Sequence, residues 1–462
     1  MLTATILAAP LPAFFALGAL SVASLGVVRF PAIALGVLMG SLVAGQLVRL
    51  PLPGQGGGLL VSDVAVVLVL ASALLLRWLR PRKLPLHGNQ AVSPSHSLPL
   101  ISYLLFLPFL AWSLWTLIIH APDLGSSATL IAGAYWVRLV TYLALLPTLL
   151  FLAQFSFYRS CLRTGLLITL SLLVGLGALQ LFLVPNLIGF GSGWDPHQNR
   201  LVSTWLDPNF FGGLLVLALP WVISLLARPA PQDSVPYNLL LLLGVTGALL
   251  VALLLTQSRS AVSALLIAGT LISPLWVIGR SRPKNRVPAT MRLLSILGIC
   301  LALATTSLWL LRDRVWGLVT YDPTVTLRLE SVAAVWPLAV AHAGTGVGYN
   351  AYQFAAAAAG LLDNFTIHSR AGADNSLLTL WVTTGIIGAA LFILPWVAIG
   401  LIFVRRWLLY RQPGSLAVAA SLLAWMVQAQ FINGLLYAHL LIVIIVLIAL
   451  ELTTDPSHES SL

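Results

Sequence analysis

Apolar runs separated by short polar breaks fill this chain. They fall near residues 5–27, 31–48, 59–76, 97–119, 130–154, 164–186, 207–227, 239–256, 260–279, 292–311, 376–404, 415–431 and 435–452. Most have the length of a helix that crosses a bilayer, about 20 residues. The runs are continuous rather than alternating, so the pattern excludes a transmembrane barrel and predicts an all-α polytopic membrane protein. About 12–13 transmembrane helices are expected. The first 76 residues admit three full spans, with the N-terminus outside, or two spans and a re-entrant piece, with it inside.

One polar interruption is long. Residues 312–375 divide the chain into N-terminal spans (1–311), a large extracytoplasmic loop (312–375), and C-terminal spans with a short cytoplasmic tail (376–462). Within the loop, TLRLESVAAVWPLAVAHA (326–343) predicts a helix with Arg328, Ser331 and His342 on or near its polar side. GTGVGYNAYQF predicts a glycine turn entering a short helix, and DNFTIHSRAGADNS a polar connection. A long loop with its own helices is functional or disordered, and the Trp, Tyr and Phe content argues for function.

Composition agrees with the pattern. Hydrophobic residues make up 59% of the chain and charged residues 8%, more apolar surface than a soluble fold of this length can hide. The N-terminus lacks a basic stretch and a small-residue cleavage site, so no cleaved signal peptide is expected. Cys161 and Cys300 are the only cysteines, and neither falls in a segment placed outside, so no disulfide is expected.

The net charge of +11 would suggest nucleic acid in a soluble protein. Here it reflects basic connections on one side of a membrane. Those connections are 77–83, 159–163, 228, 280–292 and 405–411, and they carry 15 of the 24 Lys and Arg residues. Every second connection belongs to this set, which places it in the cytoplasm by the positive-inside rule. The connections facing out are 120–129, 187–206, the turn at 257–259, 312–375 and 432–434.

The remaining basic residues carry the chemical signal. They are Arg29, Arg49, Arg138, Arg200, Arg259, Arg312, Arg314, Arg328 and Arg370. The last six lie at or beyond the outer face, against the topological expectation. All are arginine, whose planar fork suits bidentate binding of phosphate and cannot lose its proton. An outer-face site for a diphosphate or another polyanion follows.

Arg259 lies in the tight turn of LLLTQSRSAVSALL, where Ser258 and Ser260 can add hydroxyl donors. It either clamps a ligand phosphate or snorkels to lipid headgroups. Arg200 precedes TWLDPNFFGG in an outer connection and can join the anion site. Asp207 followed by Pro208 has the form of an N-cap with proline at the first helical position. Arg138 calls for a structural partner: Asp123, Asp63 or backbone carbonyls. Trp194 and Trp205 suit an interfacial aromatic belt better than sugar stacking. GTGVGYN has no following Lys-Ser/Thr and no surrounding βαβ unit, so a turn that returns the loop to the membrane domain is favoured over a nucleotide loop. Asp374 opens the next span, either as an N-cap or as a general base whose anion the helix dipole favours. His368 is the alternative base.

Together these stretches resemble the O-antigen ligase and polymerase superfamily of bacterial membrane glycosyltransferases. The similarity runs from about residue 97 onward. It rests on TWLDPNFFGGLL, on TQSRSAVSALL, on the run from Arg328 through Trp336 to GTGVGYNAYQF, and on ADNSLLTLWVTTGIIG, in that order. The resemblance implies a glycan donor linked to undecaprenyl diphosphate, and a glycan or lipid-linked acceptor. Transfer would occur at the periplasmic or outer face of the bacterial plasma (inner) membrane, with no metal and no cofactor. Carried over by position, Arg259 and Arg328 would hold the donor diphosphate and neutralise it as it leaves. The family's catalytic histidine falls on Asp374, a departure that makes Asp374 or His368 the base. Arg200, Ser258, Ser260, Tyr349 and Asn375 complete the expected substrate-binding set. The competing reading is a multi-pass transporter or flippase of lipid-linked glycans, although the unusual charges gather at one face rather than at a midplane.

Overall fold

A computed structural model of the chain describes residues 31–51, 58–79, 104–187, 197–227, 239–280, 323–361 and 372–454. The described helices are α1 (Pro31–Ala44), α2 (Val61–Leu79), α3 (Leu107–Ala153), α4 (Ser156–Leu183), α5 (Pro208–Leu226) and α6 (Leu239–Leu255). They continue with α7 (Arg259–Arg280), α8 (Pro323–Ala341), α9 (Tyr352–Ala358), α10 (Ser376–Tyr410), α11 (Pro413–Gln428) and α12 (Ala438–Leu452). One small antiparallel hairpin, β1 (Arg49–Pro51) with β2 (Gly58–Leu60), joins α1 to α2. The protein is an all-α polytopic membrane protein. Six described helices are long and apolar enough to cross a membrane. The expected spans at 5–27 and 292–311 lie outside the described residues.

Glycines break the two longest helices, for different reasons. In α3, Gly125 takes φ 77° and ψ 165°. The chain folds back there, because the Trp136 indole donates to the Leu110 carbonyl (3.2 Å) and to Ser113 Oγ (3.1 Å). The two halves therefore form the hairpin that the apolar pattern gives as two spans.

In α10, Gly385 takes φ 72° and ψ 174°. In an unbroken helix the Ile386 N–H would donate to the Val382 carbonyl. Here the 343–347 turn stands between them. Val382 O accepts from Val347 N (2.9 Å), and Ile386 N donates to Ala343 O (2.9 Å). The Trp112 indole donates to the freed Thr384 carbonyl (2.8 Å). The expected single span beginning at 376 is thus a short segment, 376–384, followed by a crossing segment, 386–410.

The bundle has two chemically distinct ends. Arg159 and Arg163 in the first turns of α4, and Arg405, Arg406 and Arg411 at the end of α10, mark the basic end. There Arg159 donates to the Thr453 carbonyl, and Arg406 donates to Gln412 Oε1 (3.2 Å) and to the Thr454 carbonyl (3.1 Å). The connection expected at 159–163 is helical instead. The turn lies at 154–155, and Arg159 and Arg163 project from the first turns of α4.

α12 explains how a 15-residue helix serves inside a membrane. Its length is about 22 Å, less than the hydrocarbon thickness. Every residue from His439 to Glu451 is buried, so protein rather than lipid surrounds it. Irregular backbone at membrane depth is tolerated only where protein covers it. α5 is similarly enclosed, and α11 packs along it.

Candidate active site

Opposite the basic end, the first turns of three helices meet. The sequence builds the α5 start locally. Asp207 is the N-cap, its Oδ1 accepts from the N–H groups of Asn209 (2.6 Å) and Phe210 (3.1 Å), and Pro208 occupies the first helical position. The α7 start follows a three-residue reversal from α6, residues 256–258, with Gln257 at φ 51° and Arg259 as the first helical residue. The α10 start is capped by Asn375, whose side-chain oxygen accepts from Leu378 N (2.9 Å).

Side chains lock these starts to one another. Ser258 Oγ donates to Asn209 Oδ1 (3.0 Å). Arg200 donates from Nε to the Thr256 carbonyl (2.9 Å) and reaches Asn209 Oδ1 with a terminal nitrogen (3.5 Å). Gly212 allows the close approach of α5 and α7, since a Cβ there would lie 2.8 Å from Ala261 Cβ. At the end of α11, Gln428 Nε2 donates to the Asn209 carbonyl (2.9 Å). Two residues on, the Gln430 carbonyl accepts from Asn375 Nδ2 (3.1 Å), and Ser376 N donates to the Ala429 carbonyl (2.8 Å). Residues 428–430 therefore bridge the α5 and α10 starts. Three helix N-termini at one end give a positive local potential and a set of N–H donors suited to an anion.

Arg328 and Asp374 lie in this region. Arg328 Nε is 3.8 Å from Asp374 Oδ2, with the two side chains 24% and 55% exposed. α8 sets this relation by lying along the first segment of α10. Val335, Ala339, Tyr352, Ala356, Ala373, Leu378 and Val382 form a small apolar cluster between α8, α9 and α10. Gly346 and Gly385 close the far end of the contact. A Cβ on Gly346 would fall 2.3 Å from the Thr383 carbonyl carbon, and one on Gly385 would fall 2.0 Å from the Gly344 oxygen. The turn at 344–350 thus docks the loop on the membrane domain. Because Asn375 performs the capping, the Asp374 carboxylate is not the cap of α10.

The expected site residues divide by access. Arg259, Arg328, Asp374 and Asn375 are at least partly accessible. Ser258 is fully buried and Ser260 is 5% exposed, with their hydroxyls 3.2 Å apart. Ser258 thus holds the turn, and neither serine presents an open surface. Arg200, 9% exposed, is largely committed to protein groups and positions the 197–202 segment. Tyr349 is 4% exposed and packs edge to face on Phe109, so it belongs to the core rather than to a ligand surface. Burial holds the Tyr349 and Tyr437 phenols above their usual range. His368 lies outside the described residues. Arg138 takes a structural role, with Nε 2.6 Å from Asp63 Oδ1. Asp63 also accepts from Tyr142 OH (2.9 Å) and Leu60 N (2.7 Å).

Asn209 and Gln428 join the site only through tertiary contacts. Asn209 follows Pro208 in TWLDPNFFGG, where the sequence carries no sign of its long-range partners. Gln428 is a polar residue in an apolar run, a signal of a buried polar role. Among the described residues, no group of three or more His, Cys, Asp or Glu side chains could hold a metal ion.

Comparison with known families matches residues 244–393 to the family described as O-antigen ligase. The matched region runs from α6 through the crossing segment of α10 and includes Ser258, Arg259, Arg328, Asp374 and Asn375. No curated protein matches the chain. Residues 244–393 are therefore similar to the O-antigen ligase family, and that similarity points to a glycosyltransferase-like enzyme.

Proposed function

We propose that this O-antigen ligase-like region transfers a glycan from an undecaprenyl-diphosphate-linked donor to a sugar acceptor at the outer face of a bacterial plasma membrane. Transfer to a terminal acceptor would make it a ligase, and transfer to a second lipid-linked unit a polymerase. The observation that carries the reading is the Arg328–Asp374 pair beside the converging helix starts. It puts a carboxylate next to the cation that would receive the leaving diphosphate. The basic end would face the cytoplasm, which leaves the site on the outer side.

The chemistry is a single inverting displacement. Asp374 takes the proton of the acceptor hydroxyl, and the hydroxyl oxygen attacks the anomeric carbon of the donor. The bond from that carbon to the phosphate oxygen breaks, and its electron pair leaves with the diphosphate. Arg259 and Arg328 hold the diphosphate and offset its growing charge, the form of stabilisation that a preorganised site provides best. Arg200 and the helix N-termini support them. Carboxylates serve as bases at oxocarbenium-like centres elsewhere. No metal takes part in this scheme.

The second reading, a transporter, draws on the broken helix α10, because interrupted helices line transport sites. Here the turn at 343–347 fills the interruption and satisfies its backbone groups.

The test is glycan transfer in proteoliposomes by the purified protein, given undecaprenyl-diphosphate-linked glycans and a sugar acceptor. Transfer by the wild type, lost on Arg259→Ala and on Asp374→Asn, supports the enzyme. Movement of labelled lipid between leaflets without transfer replaces it with a flippase. Loss on His368→Ala but not on Asp374→Asn moves the base to His368.

A further inference from the structure

An apolar cleft about 410 Å³ in volume runs between α4 and α6. Leu170, Val174 and Gly175 line it from α4, and Leu241, Gly244 and Ala248 from α6. Its one hydroxyl, Ser171 Oγ, donates to the Leu167 carbonyl of its own helix (2.9 Å). The cleft makes no hydrogen-bonding demand on an occupant. Its volume is in the range of small-molecule sites, roughly 300–1,000 Å³.

Glycine keeps it open. A Cβ on Gly175 or on Gly244 would meet nothing within 4 Å, whereas one on Gly177 would strike the Leu201 side chain at 2.7 Å. So one face of α4 packs against the 201–203 segment, and the opposite face, which carries Gly175, is left open toward α6. Glycine inside a helix is less favourable than alanine by about 1 kcal/mol, and at Gly175 and Gly244 no close backbone approach accounts for it.

The cleft also lines up with the candidate site. At the site end of α6, the Leu255 carbonyl accepts from Leu201 N (3.0 Å) and the Thr256 carbonyl from Arg200 Nε (2.9 Å). Gly244 lies about 18 Å back along the helix from Thr256. Just past the end of α4, Pro185 O accepts from Asn199 N (2.8 Å), and Gly175 lies about 12 Å back along the helix from Leu183, its last residue. Both glycines stand roughly 12–18 Å from the site end of their helices, a distance that fits within a hydrocarbon layer about 30 Å thick.

We propose that this cleft takes the hydrocarbon chain of a polyprenyl-diphosphate donor whose head group sits at Arg259. The inference rests on the glycan-transfer reading and deepens it. The cleft would hold the chain against α6 while the helix starts hold the diphosphate.

The test uses the full-length protein in nanodiscs of phosphatidylethanolamine and phosphatidylglycerol. The probe is a polyprenyl diphosphate with a diazirine placed about 18 Å from the diphosphate. The expected result is labelling of 170–175 and 240–249, competed by unlabelled polyprenyl diphosphate. Labelling should fall roughly tenfold in the Gly175→Leu, Gly244→Leu double variant, whose side chains enter open space and should leave the melting temperature unchanged. Equal, uncompeted labelling of the same segments by a diazirine phospholipid would overturn the proposal and make the cleft a bulk-lipid contact. Labelling by the prenyl probe elsewhere would also overturn it. Glycan transfer measured in parallel separates the two claims. Transfer without cleft labelling removes this inference alone, and cleft labelling without transfer removes the enzyme reading alone.

Discussion

Ser258 donates a 3.0 Å hydrogen bond to the Asn209 side-chain oxygen, and this contact joins the first turn of α5 to the turn that presents Arg259. The same oxygen is 3.5 Å from a terminal nitrogen of Arg200. Asn209 thus sets where two arginine-bearing segments stand relative to each other. Asn209→Ala should raise the KM for the lipid-linked donor about tenfold, equivalent to about 1.4 kcal/mol. A donor titration in proteoliposomes checks this, and an unchanged KM removes Asn209 from the positioning network.

Arg259 begins α7, where its fork can meet two phosphate oxygens at once. A lysine at that position keeps the charge and loses the fork. Arg259→Lys should therefore be nearly as inactive as Arg259→Ala. Full activity in the lysine variant would sink the bidentate clamp.

Asp374 is more than half exposed and pairs with Arg328 at 3.8 Å. A pair this open contributes about 0–1 kcal/mol to stability, so Asp374→Asn should barely move the melting temperature. Removing a general base costs typically about 10²–10⁴-fold in rate. The expected result is therefore a large fall in kcat with the fold intact. A comparable loss of stability would mean that the pair is structural.

Metal-free chemistry predicts that transfer survives chelation. EDTA at a concentration that strips divalent ions should leave the initial rate unchanged. A rate that falls with EDTA and returns with one added metal would require a different account of leaving-group stabilisation.

Two glycines of α10 should respond to alanine with opposite signs. Gly385 holds φ 72°, and a Cβ there would lie 2.0 Å from the Gly344 oxygen. Gly385→Ala should lower the melting temperature and undo the docking that keeps Arg328 beside Asp374. At Gly400 the nearest atom to a Cβ is Leu422 Cδ1 at 3.9 Å. Gly400→Ala should stabilise by up to about 1 kcal/mol through helix propensity. Thermal unfolding of both variants in detergent checks the pair.

The apolar pattern determined the class of the protein, because about 20 continuous apolar residues have few stable alternatives to a membrane helix. Local chemistry was legible for the same reason. Asp207-Pro208 reads as a cap because the side chain and the N–H groups it serves are two and three residues apart. The tight turn at Arg259 followed from the lack of any polar linker between two apolar runs.

Relations across the chain were decided only by tertiary structure. In sequence, Asp374 has the form of a cap for α10 or of a base, and the structure gives the cap to Asn375. Packing of α8 on α10 draws Asp374 toward Arg328, while Asn375 bonds to Leu378 and to the Gln430 carbonyl. Ser258, Ser260 and Tyr349 are polar positions near the expected site, and burial turned all three inward. The break at Gly385 was hidden because its cause is a turn some 40 residues earlier, whose backbone takes the place of helical hydrogen bonds. Sequence specifies which groups are available and what each does with near neighbours. Which distant groups meet is set by helix packing, where one missing Cβ at Gly212, Gly346 or Gly385 decides whether two backbones can touch.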